Sequence, residues 1–129
     1  MTISLDELKK AVETLKVAID LYNNSNPTDL LVKNAFRDAC IQRFEYCIEM
    51  SWKISMKSLG SSTVAAKPAI REMARSNLIN NPELWFTFIE ARNETSHSYD
   101  EEVAVKVFDK IQLFFPEAIK LIIQLENVI

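Results

Sequence analysis

Apolar residues recur at helical spacing along nearly the whole chain, and no stretch alternates with the period of a strand. Ser4 and Glu7 have the spacing of a capping box, and Leu5, Leu8, Val12, Leu15, Ile19 and Tyr22 follow the helical repeat, which predicts a first helix over about residues 4–23. Asn23-Asn24-Ser25-Asn26-Pro27 breaks the pattern. Thr28 offers the next N-cap, and apolar periodicity then runs unbroken to Leu59, just before Gly60, so the second helix is long. Ser61-Ser62-Thr63 reads as a loop, and Pro68 suits the first turn of a short third helix carrying Ile70, Met73, Ala74 and Leu78. Asn81-Pro82 repeats that signal for a fourth helix with Trp85, Phe86, Phe88 and Ile89. Asp100 is placed to cap a fifth that begins with Glu101 and Glu102, and Pro116 should kink or divide it. The pattern therefore predicts an all-α fold, an antiparallel up-and-down bundle of four to five helices with a long second and a kinked last helix.

Composition narrows this picture. A chain of 129 residues, 48% of them hydrophobic, supports one packed core, so residues 1–129 are expected to form a single helical-bundle domain. The net charge of −3 gives no overall attraction to nucleic acid or anionic lipid, and contact with RNA would need a local basic patch. No apolar run approaches the roughly 20 residues of a membrane span. Met1-Thr2-Ile3-Ser4-Leu5-Asp6-Glu7 lacks the order of a signal peptide, and the expected compartment is the cytoplasm. Cys40 and Cys47, on one helix and about 10 Å apart along it, cannot form a disulfide and are expected to be reduced core residues. One histidine and no Cys/His spacing argue against structural zinc, and a lone glycine argues against phosphate-cradling glycine loops.

Around the long helix, Cys40, Ile41, Phe44, Cys47, Ile48, Ser51 and Ser55 share a face that also contains Arg37. A buried arginine must be paired, so Arg37 closes an internal ion pair or points into a cavity that receives an anion. Asp38, Glu45 and Glu49 form a neighbouring stripe beside Trp52. Glu49 can pair with Lys53 one turn on, or orient Arg92 from across the bundle.

The segment Arg92-Asn93-Glu94-Thr95-Ser96-His97-Ser98-Tyr99 is where chemistry concentrates. Asn93 and His97 are four residues apart, so on a continuing helix Asn93 stands beside the histidine and can hold its ring. Imidazole can give or take a proton near neutral pH. Arg92, five residues from His97, meets it only if the chain turns at residues 96–98 or if a second subunit supplies half of the site. Arginine with histidine suffices for RNA cleavage with no metal and no cofactor: imidazole takes the 2′-hydroxyl proton, and guanidinium stabilises the phosphate charge. One histidine does not readily serve as both base and acid, so a symmetric homodimer sharing one cleft is the economical arrangement. The plainer alternative is a helix end capped by histidine beside a surface arginine.

Glu90-Ala91-Arg92-Asn93-Glu94-Thr95-Ser96-His97-Ser98-Tyr99-Asp100-Glu101 resembles the Arg-Asn-x-x-x-His signature of the HEPN superfamily. More narrowly, Arg37-Asp38-Ala39, Arg43-Phe44-Glu45, Glu49, Trp52-Lys53, Asn77-Leu78-Ile79, Trp85 and Ser96-His97-Ser98-Tyr99 are similar to the nucleotidyltransferase substrate-binding protein family over about residues 5–125. One departure is Asn77, where that family usually has glycine.

The resemblance implies a dimerising helical bundle that works beside a separately encoded minimal nucleotidyltransferase. It implies either a metal-independent endoribonuclease toxin with Arg92 and His97 catalytic, or a non-catalytic subunit that binds nucleotide or substrate for the partner. In the toxin version the partner is the antitoxin and adenylylates the tyrosine of Arg-x-x-x-x-His-x-Tyr, here Tyr99. An aromatic anchor at the helix junction is the plainer role for Tyr99. The chain itself is not expected to be the nucleotidyltransferase, since Gly60-Ser61 is not followed by an Asp-x-Asp pair.

Overall fold

The computed structural model describes residues 3–129. They form α1 (Asp6–Asn24), α2 (Leu30–Ser58), α3 (Ala66–Arg75), α4 (Pro82–Glu94), a 3-10 turn (Thr95–His97) and α5 (Glu101–Val128), with no strand among the described residues.

The directions of the helices follow from which residues meet. Lys9 pairs with Glu126 at 3.2 Å and Tyr22 packs on Phe108, so α1 and α5 are antiparallel. Arg37 meets Glu101 and Phe44 meets Phe114, so α2 and α5 run the same way. Trp85 lies beside Leu121 and Gln124 while Glu94 lies beside Lys106, so α4 runs antiparallel to α5 and hence to α2. The bundle is up-and-down, with α3 packed against α4 through Arg71 and Phe86. The long helices α2 and α5 form its centre, with α1 on one side and α3 and α4 on the other.

Phe114, fully buried on α5, is the hub of the core. Phe44, Trp85 and Phe88 meet its ring edge-on at centroid distances of 5.2, 5.7 and 5.3 Å. Edge-on packing sets the positive rim of one ring against the negative face of another. Ser51 and Ser55, also buried, donate to the carbonyls of Cys47 and Ser51 within α2, so their hydroxyls need no partner from a facing helix. Cys40 and Cys47 are free and buried, and loss of water pushes their thiols up to about 11 and about 12. Both stay protonated and inert as core residues.

Several ends differ from the sequence pattern. Ser4 does not close a capping box: its hydroxyl accepts from the Asp6 amide at 3.2 Å, and α1 starts two residues later than expected, with Leu5 at its N-cap. Thr28 gives way to Asp29, whose carboxylate accepts from Val32, while the Thr28 hydroxyl donates to Asn26. Pro116 does not divide α5, which continues as one helix to Val128. Its missing amide frees only the Gln112 carbonyl, and apolar packing on both sides holds the helix together.

Gly60 ends α2 in the left-handed region at φ 66°, with the Gly60 and Ser61 amides donating back to Lys57 and Met56. Asn77 closes α3 in the same way at φ 62°, its amide and that of Leu78 donating to Ala74 and Met73. After glycine, asparagine is the residue that best tolerates this geometry, which accounts for the departure at this position. Asn77→Ala is expected to cost about 1 kcal/mol, and Asn77→Gly to cost nothing, in urea unfolding.

Candidate functional site

Asn81 caps α4 by accepting from the Leu84 amide, with Pro82 preset in the first turn, and Arg92 then lies on the last turn. Thr95 ends the helix. Its side chain is buried and donates to the Arg92 carbonyl at 2.8 Å, and its own carbonyl accepts from Ser98 at 3.1 Å. The chain turns here, and the Asp100 amide donates to the His97 carbonyl. Asp100 caps α5 as the sequence predicts, accepting from Glu102 and Val103.

The next residue fastens the turn to the bundle. Glu101 receives two hydrogen bonds from the Arg37 guanidinium, at 2.7 and 2.9 Å. Arg37 is thus committed to an ion pair and holds the start of α5 against α2. The hydrogen bonds hold the Glu101 carboxyl below the usual glutamate range. A carboxylate whose folded value is depressed stabilises above its unfolded value, and that contribution is lost as pH falls through the folded one. Wild type should therefore exceed Glu101→Gln in stability by a constant margin above about pH 5, with the margin vanishing on further acidification. Urea titrations across that range measure it, and a margin that grows in acid would contradict the ion pair.

Arg92 is half-buried, and its Nε lies 3.8 Å from Glu49 Oε1. That is an ionic contact too long for a hydrogen bond, and this Nε has no hydrogen-bond partner. Glu49 also meets Lys53 at 3.4 Å. Arg92, Glu49 and Lys53 line a hollow of about 510 Å³ together with Gln42, Glu45, Tyr46 and Met50. A second hollow of about 490 Å³ continues along α2, lined by Ala35, Asp38, Ala39, Ile41, Gln42, Glu45 and Ser98. Shared Gln42 and Glu45 make the two one trough. Arg92 stands beside one part of it and Ser98 beside the other, about two helical turns along α2.

His97 is exposed, its ring centroid 6.4 Å from that of Tyr99, and Tyr99 is 87% exposed. The structure does not bring Arg92 and His97 into hydrogen-bond contact within the chain, because the 3-10 turn carries the histidine outward while Glu49 holds the arginine on α2. Asn93 is exposed and makes no hydrogen bond to His97. The helical spacing that would have stacked them ends at Glu94.

Sequence reasoning missed Thr95 as the pin of the turn and Glu101 as the partner of Arg37. It also passed over Gln42 and Tyr46, although their four-residue spacing and their register with Glu49 and Lys53 mark one exposed stripe of α2. A further hollow of about 530 Å³, between Asn77, Trp85 and Lys120, lies toward the opposite end of α4 and includes none of the trough residues. Among the described residues no three His, Cys, Asp or Glu side chains gather as a metal-ligand set, and no helix is long and apolar enough to cross a membrane.

The model of the family described as "Nucleotidyltransferase substrate binding protein like" matches residues 3–127. The chain belongs to this family. A Haemophilus influenzae protein named Probable ribonuclease HepT is 28% identical over 136 residues, spanning 97% of this chain and 93% of that protein. A solved H. influenzae structure, described as revealing the fold of a substrate binding domain of a nucleotidyltransferase, matches with TM-score 0.82 and 28% identity, covering 95% of this chain and 99% of its own. A solved structure from Thermus thermophilus matches with TM-score 0.76 and 27% identity over 92% of this chain and 98% of its own.

Proposed function

We propose that this chain is a metal-independent endoribonuclease that acts as a homodimer and is controlled by a separately encoded minimal nucleotidyltransferase. The observation that carries the reading is the disposition of the Arg92–His97 segment. Arg92 and Ser98, the neighbour of His97, stand beside one open trough, joined by a turn that is fastened at Thr95 and at Arg37–Glu101, with the Arg92 Nε lacking a hydrogen-bond partner. Similarity to a probable ribonuclease over nearly the whole chain supports it.

In the reaction, the 2′-oxygen of RNA attacks the adjacent phosphorus and the bond to the 5′-oxygen breaks, leaving a 2′,3′-cyclic phosphate and a 5′-hydroxyl. His97 of one copy takes the proton from the 2′-hydroxyl, and His97 of the other gives a proton to the departing 5′-oxygen. Arg92 holds charge on the phosphate in a planar fork, with Glu49 setting its orientation. A dimer that joins two copies of the trough supplies both imidazoles.

Tyr99 is the site of control. Its exposed ring leaves the phenol free to attack the α-phosphorus of ATP, releasing pyrophosphate while the proton is lost to solvent. The attached nucleotide adds negative charge and bulk beside His97 and repels an RNA phosphate. Expression of the chain alone is expected to arrest growth with cleaved RNA, and cleavage should persist in EDTA. Co-expression of the partner should relieve arrest for wild type and fail to do so for Tyr99→Phe.

The second reading is a non-catalytic subunit that presents nucleotide or substrate to the nucleotidyltransferase, which the description of the Haemophilus substrate-binding domain favours. Harmless expression with intact RNA selects it. Cleavage that needs added magnesium would contradict the mechanism above.

A further inference from the structure

The part of the trough beside Arg92 holds more than a phosphate clamp requires. Tyr46 projects from α2 with 53% of its surface exposed, although a ring of that size is normally used for packing. Gln42 and Glu49 lie on its face of the helix one turn to either side, and Glu45 is adjacent in the same hollow. Glu49 is occupied by Arg92 and Lys53, whereas Glu45, half-buried, has no ion pair among the described residues. The hollow thus combines an aromatic face, an unpaired carboxylate and an amide, with two cations that share the single Glu49 carboxylate at one edge, leaving that edge one net positive charge.

The chemistry of these groups selects an occupant. An anion is repelled by Glu45 and drawn to Arg92 and Lys53, so a nucleotide's phosphate belongs at the cationic edge. Its base then lies over Tyr46, as unstacked bases do on aromatic side chains. A carboxylate only accepts hydrogen bonds, and its two oxygens suit two adjacent donors. Guanine alone among the four RNA bases presents two neighbouring donors, N1–H and the N2 amine, on its Watson–Crick edge. Adenine and cytosine set an amine beside a ring acceptor, and uracil sets its one N–H between two carbonyls. Gln42 can complement the remaining edge with its amide.

Resting on the ribonuclease reading, we infer that the Gln42–Glu45–Tyr46 hollow is a base-specificity subsite that seats an unpaired guanine, with Tyr46 stacking on it and Glu45 accepting from its N1 and N2 donors. The enzyme then acts on single-stranded RNA at guanine, not uniformly along a strand.

The test uses full-length His97→Ala protein and short oligouridine carrying one central guanosine or one inosine, which lacks only the N2 amine, with binding read by fluorescence anisotropy. The guanosine oligonucleotide is expected to bind about tenfold more tightly than the inosine one. Adding Glu45→Ala should bring the two within about twofold, the guanosine oligonucleotide weakening more than the inosine one because it loses two hydrogen bonds where inosine, which keeps N1–H, loses one. Adding Tyr46→Ala should weaken both by about tenfold, and Tyr46→Phe should restore most of that loss. Equal binding of the two oligonucleotides, alongside Arg92-dependent cleavage by wild type, would overturn the guanine subsite and leave the ribonuclease reading standing. Absence of both binding and cleavage would overturn the two together.

Discussion

His97→Ala is expected to lower RNA cleavage by about a thousandfold while leaving the thermal unfolding curve unchanged. The side chain is exposed and makes no hydrogen bond that the fold depends on, so loss of activity without loss of stability isolates its chemistry. Arg92→Ala is expected to lose about a hundredfold or more, because charge developing on the phosphate then lacks its fixed donors. Arg92→Lys should recover little, since an ammonium cannot present the paired donors of a guanidinium. Asn93→Ala should change neither activity nor stability by much, as an exposed side chain without a bond to His97.

The largest stability effect is expected at Phe114. It is fully buried and touches three other aromatic rings from two helices, so Phe114→Ala opens a cavity where α2, α4 and α5 meet. The cost should be about 3–5 kcal/mol, a large part of the roughly 5–15 kcal/mol typical of a domain. Urea unfolding should show a strongly reduced midpoint, whereas Phe114→Leu, which keeps most of the volume, should lose far less. If Phe114→Ala unfolds like wild type, the aromatic cluster is not the hub of the core.

The helices were legible from the chain because their signals are local. Asp100 caps as expected, Pro82 opens the fourth helix as expected, and Gly60 stops the long helix because its backbone turns left-handed. The capping box at Ser4 failed because two nearly equivalent local bonds compete, and Ser4 bonds the amide two residues on in place of the third. Pro116 leaves its helix undivided for a different reason. Its cost is local, but the packing that offsets it comes from α1, α2 and α4, which sequence periodicity does not rank against a lost hydrogen bond.

The site was legible in its location and not in its assembly. Arg92, His97 and Tyr99 form a dense cluster of chemistry in a short segment, so their position stood out. Arg37 was legible as a buried charge needing a partner, yet the partner, Glu101, lies 64 residues away and is fixed only by the fold. Gln42 and Tyr46 carry no signal of their own in the sequence and gain a role only because α4 brings Arg92 alongside them. The outward turn at Thr95–His97 parts the histidine from the arginine, which raises the question of whether one chain or two make a cleft.

That question is answered by mixing. Wild-type and His97→Ala chains co-expressed in equal amounts should assemble at random, so about one quarter of the dimers keep both histidines. If the two imidazoles act together as base and acid, RNA cleavage should fall to about one quarter of the wild-type rate at equal total protein. A fall only to about one half would contradict the account, because each chain would then be cleaving with its own histidine alone.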